Sequence, residues 1–260
     1  MLMGLSLWVW CACASLNEPK IAQPQFSQWH YSFTVFLDPQ QLHNSPRLDL
    51  ALSLLRMHYP LEQSMLLREI LYAGDDFEQY QDRILRQQRE NFRSRQTVMD
   101  DEGQVHNWRY LEDIYVMSLE PQGMIITRQI ESFSGGAHPQ HILRYFVVDL
   151  DKLKLVNIDD LFLDYQGEET RDLIYDELRN YSGLSENQPL SEGIFLSDEP
   201  ELSFNFYFTE IGLCLVWDPY AITPHSEGGV NIIVPWWRVR PLLLQSGMEL
   251  LTKFNINLFI

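Results

Sequence analysis

Several short stretches alternate hydrophobic and polar residues, which is the pattern of half-buried β-strands. The stretches with this pattern are residues 31–37, 110–119, 124–133, 141–150, 202–208, 212–217 and 230–234. Pro121-Gln122-Gly123 is a typical turn sequence and joins two of these strands directly. Consecutive strands that are joined by short turns pair antiparallel. The alternating stretches therefore predict an antiparallel sheet.

Other stretches have helical spacing. Residues 48–73 are rich in Leu, Met and Arg and are predicted to be helical, with an interruption at Pro60. Residues 77–95 place aromatic and aliphatic side chains near one face, and residues 168–181 predict another helix. A further helix is expected after Pro235, where a proline is tolerated in the first turn. Strands and helices together predict an α+β fold, an antiparallel sheet with helices packed on one side.

The composition changes along the chain and predicts four regions. Residues 1–14, MLMGLSLWVWCACA, are uncharged and too short to span a bilayer, so they are predicted as a signal peptide or lipoprotein signal. Ala12-Cys13-Ala14 fits a signal-peptidase site, or Cys13 could be the lipidated cysteine of a lipoprotein. The alternative to both is that residues 1–14 form an ordinary buried strand. Residues 15–28 are predicted as a linker, 29–107 as an N-terminal strand and helical region, and 108–260 as the main domain.

The net charge of the chain limits the kinds of partner that it is expected to bind. The chain of 260 residues has a net charge of −17 and a pI near 4.7. Both values argue against binding to nucleic acid or to an anionic lipid surface, since each needs a basic face. An acidic surface commonly serves solubility, but it can also steer a cationic partner.

The stretch SFSGGAHP, residues 132–139, contains the residues best suited to recognition. Gly135 and Gly136 permit positive φ angles and a close approach by a neighbour, and Ala137 follows them. Pro139 restricts His138 to extended geometry. The stretch therefore predicts a sharp turn that holds His138 in one orientation. It is either a purely structural connection or an exposed tip whose backbone a partner can approach.

Standard catalytic signatures are absent from the sequence, including the nucleophile elbow, the zinc-protease helix, the P-loop and the dinucleotide fingerprint. His138 and His141 form an H-x-x-H pair, and Asp149 and Asp151 are nearby in sequence, so a metal site is conceivable. On a turn that leads into a strand the two histidines need not converge, and a metal site also needs a third ligand and a second shell, so a structural turn is the favoured interpretation. No metal and no cofactor are predicted. Cys214 lies in the apolar run GLCLVW and is expected to be an unreactive core residue.

Two blocks of sequence resemble a known family. One is SFSGGAHP with the following ILRYFVVDLDKLKLVNIDDLF, and the other is FYFTEIGLCLVWDPYAITPHSEGGVNIIVPW. In this order they resemble the C-terminal domain of RsiV-type proteins, bacterial cell-surface anti-sigma factors whose outer domain binds lysozyme. The resemblance extends over residues 77–244 and adds Tyr220, in the Pro219-Tyr220 step, to the candidate binding residues.

The resemblance implies a non-enzymatic binding module of the bacterial envelope, in the stand-alone lipoprotein form, because no sigma-binding region or spanning helix precedes the domain. We expect it in the periplasm or outer envelope, with the membrane reached only through a lipid on Cys13. The expected partner is a lysozyme-like or other cationic protein, or a cell-wall fragment. The alternative is a peptidoglycan-modifying enzyme or accessory, in which His138, His141 and a nearby carboxylate would hold a metal or transfer protons.

Overall fold

The computed structural model describes residues 24–38, 40, 45–95, 107–135 and 138–258. The predicted leader 1–14, with Cys13, lies outside these residues. The described strands are β1 (Gln25–Phe36), β2 (Arg47–Tyr59), β3 (Trp108–Leu119), β4 (Gly123–Phe133), β5 (Gln140–Asp149), β6 (Lys154–Leu155), β7 (Phe206–Phe208), β8 (Gly212–Trp217) and β9 (Val230–Pro235). The described α-helices are α1 (Leu61–Tyr72), α2 (Phe77–Arg95), α3 (Glu168–Ser182), α4 (Trp236–Val239) and α5 (Gln245–Thr252).

The strands form two sheets, a large one in the order β1-β2-β3-β4-β5-β6 and a small one in the order β7-β8-β9. The predicted α+β class is confirmed, and neighbouring strands pair antiparallel except β2 and β3, which run parallel. A parallel pair needs a long crossover, which α1 and α2 supply between the two strands. The pairing of β2 with β3 therefore joins residues on both sides of the domain boundary that the sequence predicted after residue 107.

The sequence predicted a helix over residues 48–73. This prediction was wrong for the residues up to Tyr59, which form the strand β2. Leu48, Leu50, Leu52 and Leu54 are all buried at alternate positions, so their spacing of two decided the structure over the helical preference of leucine. Pro60 is extended and leads into α1, as its restricted φ allows at a helix start. The strand β1 also begins at Gln25, so the last residues of the predicted linker are strand.

Other elements agree with the prediction to different degrees. Helix α2 begins and ends where the pattern predicts, and β3, β4, β5 and β8 differ by at most two residues. Only residues 206–208 of the predicted strand 202–208 are paired. The helix after Pro235 is the single turn α4, followed by a 3-10 turn and then by α5, which the sequence analysis did not predict.

The first core lies between one face of the large sheet and the two helices α1 and α2. Alternate residues of β2 and β3 meet Leu67, Tyr80 and Ile84 of the helices here. This core also contains a carboxylate, Glu112, whose residue is only 2% exposed. A buried charge is costly unless it is paired and hydrogen-bonded, and Glu112 is both.

The partners of Glu112 come from three elements. Arg128 on β4 lies 2.9 Å from its Oε1, the Tyr80 hydroxyl donates to the same oxygen at 2.6 Å, and the Tyr110 hydroxyl donates to Oε2 at 3.0 Å. Arg128 Nη2 also donates to the Tyr80 hydroxyl at 2.6 Å. Burial, and then the charge of Glu112, raise the pKa of both tyrosines. We name these four residues the Glu112 cluster.

The second core is formed by the small sheet, α3, α5 and the end of the large sheet. It buries aromatic and aliphatic side chains, among them Leu178, Leu215, Trp217 and Phe254. Near its surface Arg238 contacts Asp176 at 3.0 Å and Glu177 at 2.6 Å, and Lys253, which follows α5, contacts the buried Asp149 at 2.9 Å. No helix among the described residues is long and apolar enough to cross a bilayer.

Candidate functional site

The candidate tip connects β4 to β5, which pair antiparallel up to Ser132 opposite Gln140. Gly135 has a φ of 87°, a value that glycine adopts without steric cost. The tip is therefore a hairpin connection, with Ser134, Gly135, His138 and Pro139 among its described residues. Gly136 and Ala137 lie outside the described residues.

His138 meets a second segment of the chain. Its ring stacks on the ring of His225, with centroids 4.6 Å apart and planes 27° apart. The other neighbour of His225 is Tyr220, at 4.5 Å and 32°. The structure thus brings together His138 and Tyr220, two of the predicted site residues, and places His225 between them. We name these three residues the ring stack.

The local backbone explains how Tyr220 and His225 reach the tip. Tyr220 has a φ of 70°, a region that few non-glycine residues occupy. His225 begins a 3-10 turn that follows Pro224 and ends at Gly228, where φ is 73°. For a residue with a side chain, such as Tyr220, this conformation costs free energy and is found more often at functional sites. The Tyr220 side chain is 62% exposed, so the stack is open to a partner.

Two side chains hold the loop that carries Tyr220 and His225 against β5. Asp218 accepts a hydrogen bond from the Leu143 backbone N–H at 3.3 Å and pairs with Arg144 at 2.6 Å. Asn205 donates to the Leu143 carbonyl at 2.7 Å and accepts from the Tyr145 N–H at 2.9 Å. These two side chains occupy backbone groups that a neighbouring strand would otherwise take. They also join the small sheet to the large one.

Two clefts are lined in part by Asp218, two residues before Tyr220. One has a volume of about 390 Å³ and is lined by Arg144, Phe204, Asn205 and Ala221, among others. The other, of about 200 Å³, is lined by Gln129, His141, Pro219 and Asn231, among others. Aromatic, charged and amide groups from several segments therefore converge on one surface, which is a typical arrangement for recognition.

The second histidine of the H-x-x-H pair has a different neighbour. His141 Nδ1 lies 3.9 Å from Glu131, its cross-strand partner, whereas the His138 ring stacks on His225. Across the part of the chain that the structure describes, no three His, Cys, Asp or Glu side chains are grouped to hold a metal. The arrangement can stack on a ring, attract a cation to an aromatic face and donate or accept hydrogen bonds.

Cys214 lies away from the ring stack, in the interior of β8. It is buried and makes no disulfide. Burial raises the pKa of its thiol, so the sulfur is protonated at neutral pH and a poor nucleophile. Its burial confirms the core position that the sequence predicted.

His225 is the site residue that the sequence analysis missed. It lies in the segment that resembles the family, five residues after Tyr220, but no local pattern marks it as a neighbour of His138. The signal that was available is the surrounding Pro224 and Gly228, which indicate a constrained turn rather than a flexible loop.

Comparisons with known proteins give one family match, which covers part of the second core and most of the site. Residues 159–237 match the model of a family described as protein of unknown function (DUF3298). The matched segment includes Asn205, Asp218, Tyr220 and His225, while the β4–β5 tip precedes it. A search of curated proteins finds no match.

Two solved structures share the fold. A member of the DUF3298 family from Bacteroides fragilis superposes with a TM-score of 0.71 at 17% identity, covering 86% of this chain and 94% of that chain. A DUF3298 family protein from Pseudomonas aeruginosa superposes with a TM-score of 0.57 at 14% identity, covering 85% and 96%. Most of this chain therefore has the fold of two DUF3298 proteins, and residues 159–237 carry the match to that family of unknown function.

Proposed function

We propose that the protein is a non-enzymatic binding module of the bacterial envelope and that it binds a cationic protein of the lysozyme type through the ring stack. The observation that carries the proposal is the meeting of His138 and Tyr220 on either side of His225. These residues come from separate parts of the chain, and the tyrosine is largely exposed. Exposed tyrosines at a fixed position are common anchors in protein interfaces.

The type of partner follows from charge and resemblance together. A chain with a net charge of −17 attracts a basic protein over a distance set by the salt concentration. The resemblance to RsiV-type proteins supplies lysozyme as the first partner to test. Location in the periplasm or outer envelope, and lipid attachment at Cys13, belong to the same proposal.

The test is isothermal titration calorimetry of the chain from Ser15 onward with a panel of lysozymes at low and high salt. We expect binding that weakens as salt rises, because attraction between opposite charges is screened. Tyr220→Ala should weaken binding by at least about tenfold if the ring is an anchor. His225→Ala should weaken it too, since Tyr220 and His138 then lose the ring between them.

A matched control is Tyr181→Ala on α3, because Tyr181 is also an exposed tyrosine, at 49%. Binding should be unchanged in this variant. Loss of affinity in both tyrosine variants would argue against the ring stack as the binding surface. Absence of binding across the panel would reject a lysozyme-type partner, and cell-wall fragments would be tested next.

The enzymatic alternative stays a prediction. It requires His138 and His141 to act with a carboxylate, and the described geometry directs the two rings to different neighbours. Incubation of the protein with peptidoglycan fragments, with the release of products followed by mass spectrometry, would test this alternative directly.

A further inference from the structure

The strand β1 forms an edge of the large sheet and is unusually long for an edge. It extends over twelve residues and pairs along one side with β2. Among the described strands, none pairs with its other side. The outward N–H and C=O groups of such a strand form a ready template for another strand.

Proteins ordinarily protect long edges with prolines, charged side chains or covering segments. The sequence of β1, QFSQWHYSFTVF, contains no proline, no glycine and no Asp, Glu, Lys or Arg. The free side of β5 shows the contrast, since Asn205 and Asp218 occupy its backbone groups. The β1 edge thus has none of these devices within its own residues.

We propose that β1 pairs antiparallel with β1 of a second copy of this chain, about a two-fold axis at Tyr31. A two-fold axis perpendicular to a sheet keeps each face on its own side, so opposing residues must have the same parity. With the axis at Tyr31, this tyrosine opposes its own copy, and Trp29 opposes Phe33 of the second copy.

The side chains on this face suit the register. Trp29 is 51% exposed and Tyr31 is 39% exposed, although both lie on the face that α2 covers. Pairing would place three aromatic pairs in a row across the junction, Trp29 with Phe33, Tyr31 with Tyr31 and Phe33 with Trp29. Aromatic cross-strand pairs are among the favourable contacts in antiparallel sheets.

The lack of charge within β1 favours this edge as the contact between two copies. Two chains with a net charge of −17 each repel one another in most orientations. No residue of β1 is an Asp or a Glu, so this edge adds no carboxylate of its own to the repulsion. Because only one strand from each copy forms the contact, the interface should be small and the dimer should dissociate reversibly.

The first experiment is sedimentation velocity of the full chain over rising protein concentration. We expect a monomer–dimer equilibrium. Tyr31→Lys should raise its dissociation constant by at least about tenfold, because it places two lysines directly opposite each other. Tyr115→Lys is the matched control, since Tyr115 is 38% exposed but lies on the inner strand β3, and it should leave the equilibrium unchanged.

A second variant guards against misfolding of the first. Ser32 is exposed on the opposite face of β1, and Ser32→Glu should also weaken the dimer while circular dichroism stays native, because it adds a carboxylate to this edge in both copies. Hydrogen exchange gives an independent readout, because every second backbone N–H of β1 should become protected as concentration rises. A chain that remains monomeric, or a dimer that Tyr31→Lys leaves intact, would overturn the proposal and leave β1 for a strand of another protein.

Discussion

The two cores bury different chemistry, although they share the large sheet. The first core contains the Glu112 cluster, in which a fully buried carboxylate contacts Arg128 and two tyrosine hydroxyls. The interior of the second core is filled mainly by apolar side chains, and the contacts of Arg238 with Asp176 and Glu177 are partly exposed. The difference indicates that the first core depends on a few directed contacts, while the second depends on how well its surfaces fit.

The largest effect is expected when the Glu112 cluster loses its cation. Arg128→Ala leaves a fully buried carboxylate without a charged partner, and removal of one member of a buried pair typically costs about 3–5 kcal/mol. Urea unfolding followed by fluorescence measures the loss. Arg47→Ala, which removes an exposed pair with Asp49, is the control and should cost less than about 1 kcal/mol. Equal losses in the two variants would contradict the distinction between the cores.

The fit of the second core can be tested at Gly247 on α5. A Cβ atom at this position would lie 2.5 Å from the Leu161 carbonyl oxygen. Glycine to alanine normally stabilises a helix by about 1 kcal/mol, but here we expect a loss of about 1–3 kcal/mol from overpacking. Ser246→Ala on the exposed side of the same helix should have little effect. A gain in stability from Gly247→Ala would show that the second core can accommodate the added methyl group and is packed less tightly than the structure indicates.

The buried tyrosines of the first core predict sensitivity to alkali. Burial, and then the charge of Glu112, raise the pKa of Tyr72, Tyr80 and Tyr110. Their contribution to stability is full below pH 10, where tyrosines of the unfolded chain remain protonated. It falls as pH rises above that value, by about 1.4 kcal/mol per pH unit for each residue.

Tyr80→Phe should therefore reduce the steepness of this loss, measured as the urea midpoint between about pH 8 and pH 11. Below about pH 9 the variant and the wild type should respond to pH in parallel. An unchanged slope above pH 10 would mean that Tyr80 does not hold its proton in the folded protein.

The smallest effect is expected at the rim of the second core. Arg238→Ala removes contacts to Asp176 and Glu177, whose side chains are 34% and 13% exposed, and should cost about 1–2 kcal/mol, less than Arg128→Ala, because neither carboxylate is fully buried. Added salt should shrink this loss more than the loss from Arg128→Ala, because ions can approach the partly exposed carboxylates but not Glu112. A salt-independent loss at Arg238 would place it with the buried pairs instead.

Much of the fold followed from hydrophobic spacing alone. Helix α2 was predicted with its exact ends, and β3, β4 and β5 were recognised because short turns join them. The strand β2 was missed because its leucines favour helix by composition while their alternation favours strand. Its parallel pairing with β3 could not be predicted locally, since the partner lies beyond two helices.

The candidate site was predicted as separate residues. His138 followed from the SFSGGAHP turn and Tyr220 from the resemblance, but their meeting depends on His225. That contact is set by Asn205 and Asp218, which attach the second segment to β5 through side chains rather than strand pairing. Periodicity detects ladders of backbone hydrogen bonds and has no signal for a joint of this kind.

The parallel pairing of β2 with β3 has a consequence for the order in which the protein folds. The hairpin of β1 and β2 can form from neighbouring segments, yet the strand that completes it follows after α1 and α2. Contacts between residues so distant in sequence form slowly, because the intervening chain must be closed into a loop. Until that loop closes, the outer side of β2 has no strand to pair with, whereas β3, β4 and β5 can pair as soon as the short segments between them turn.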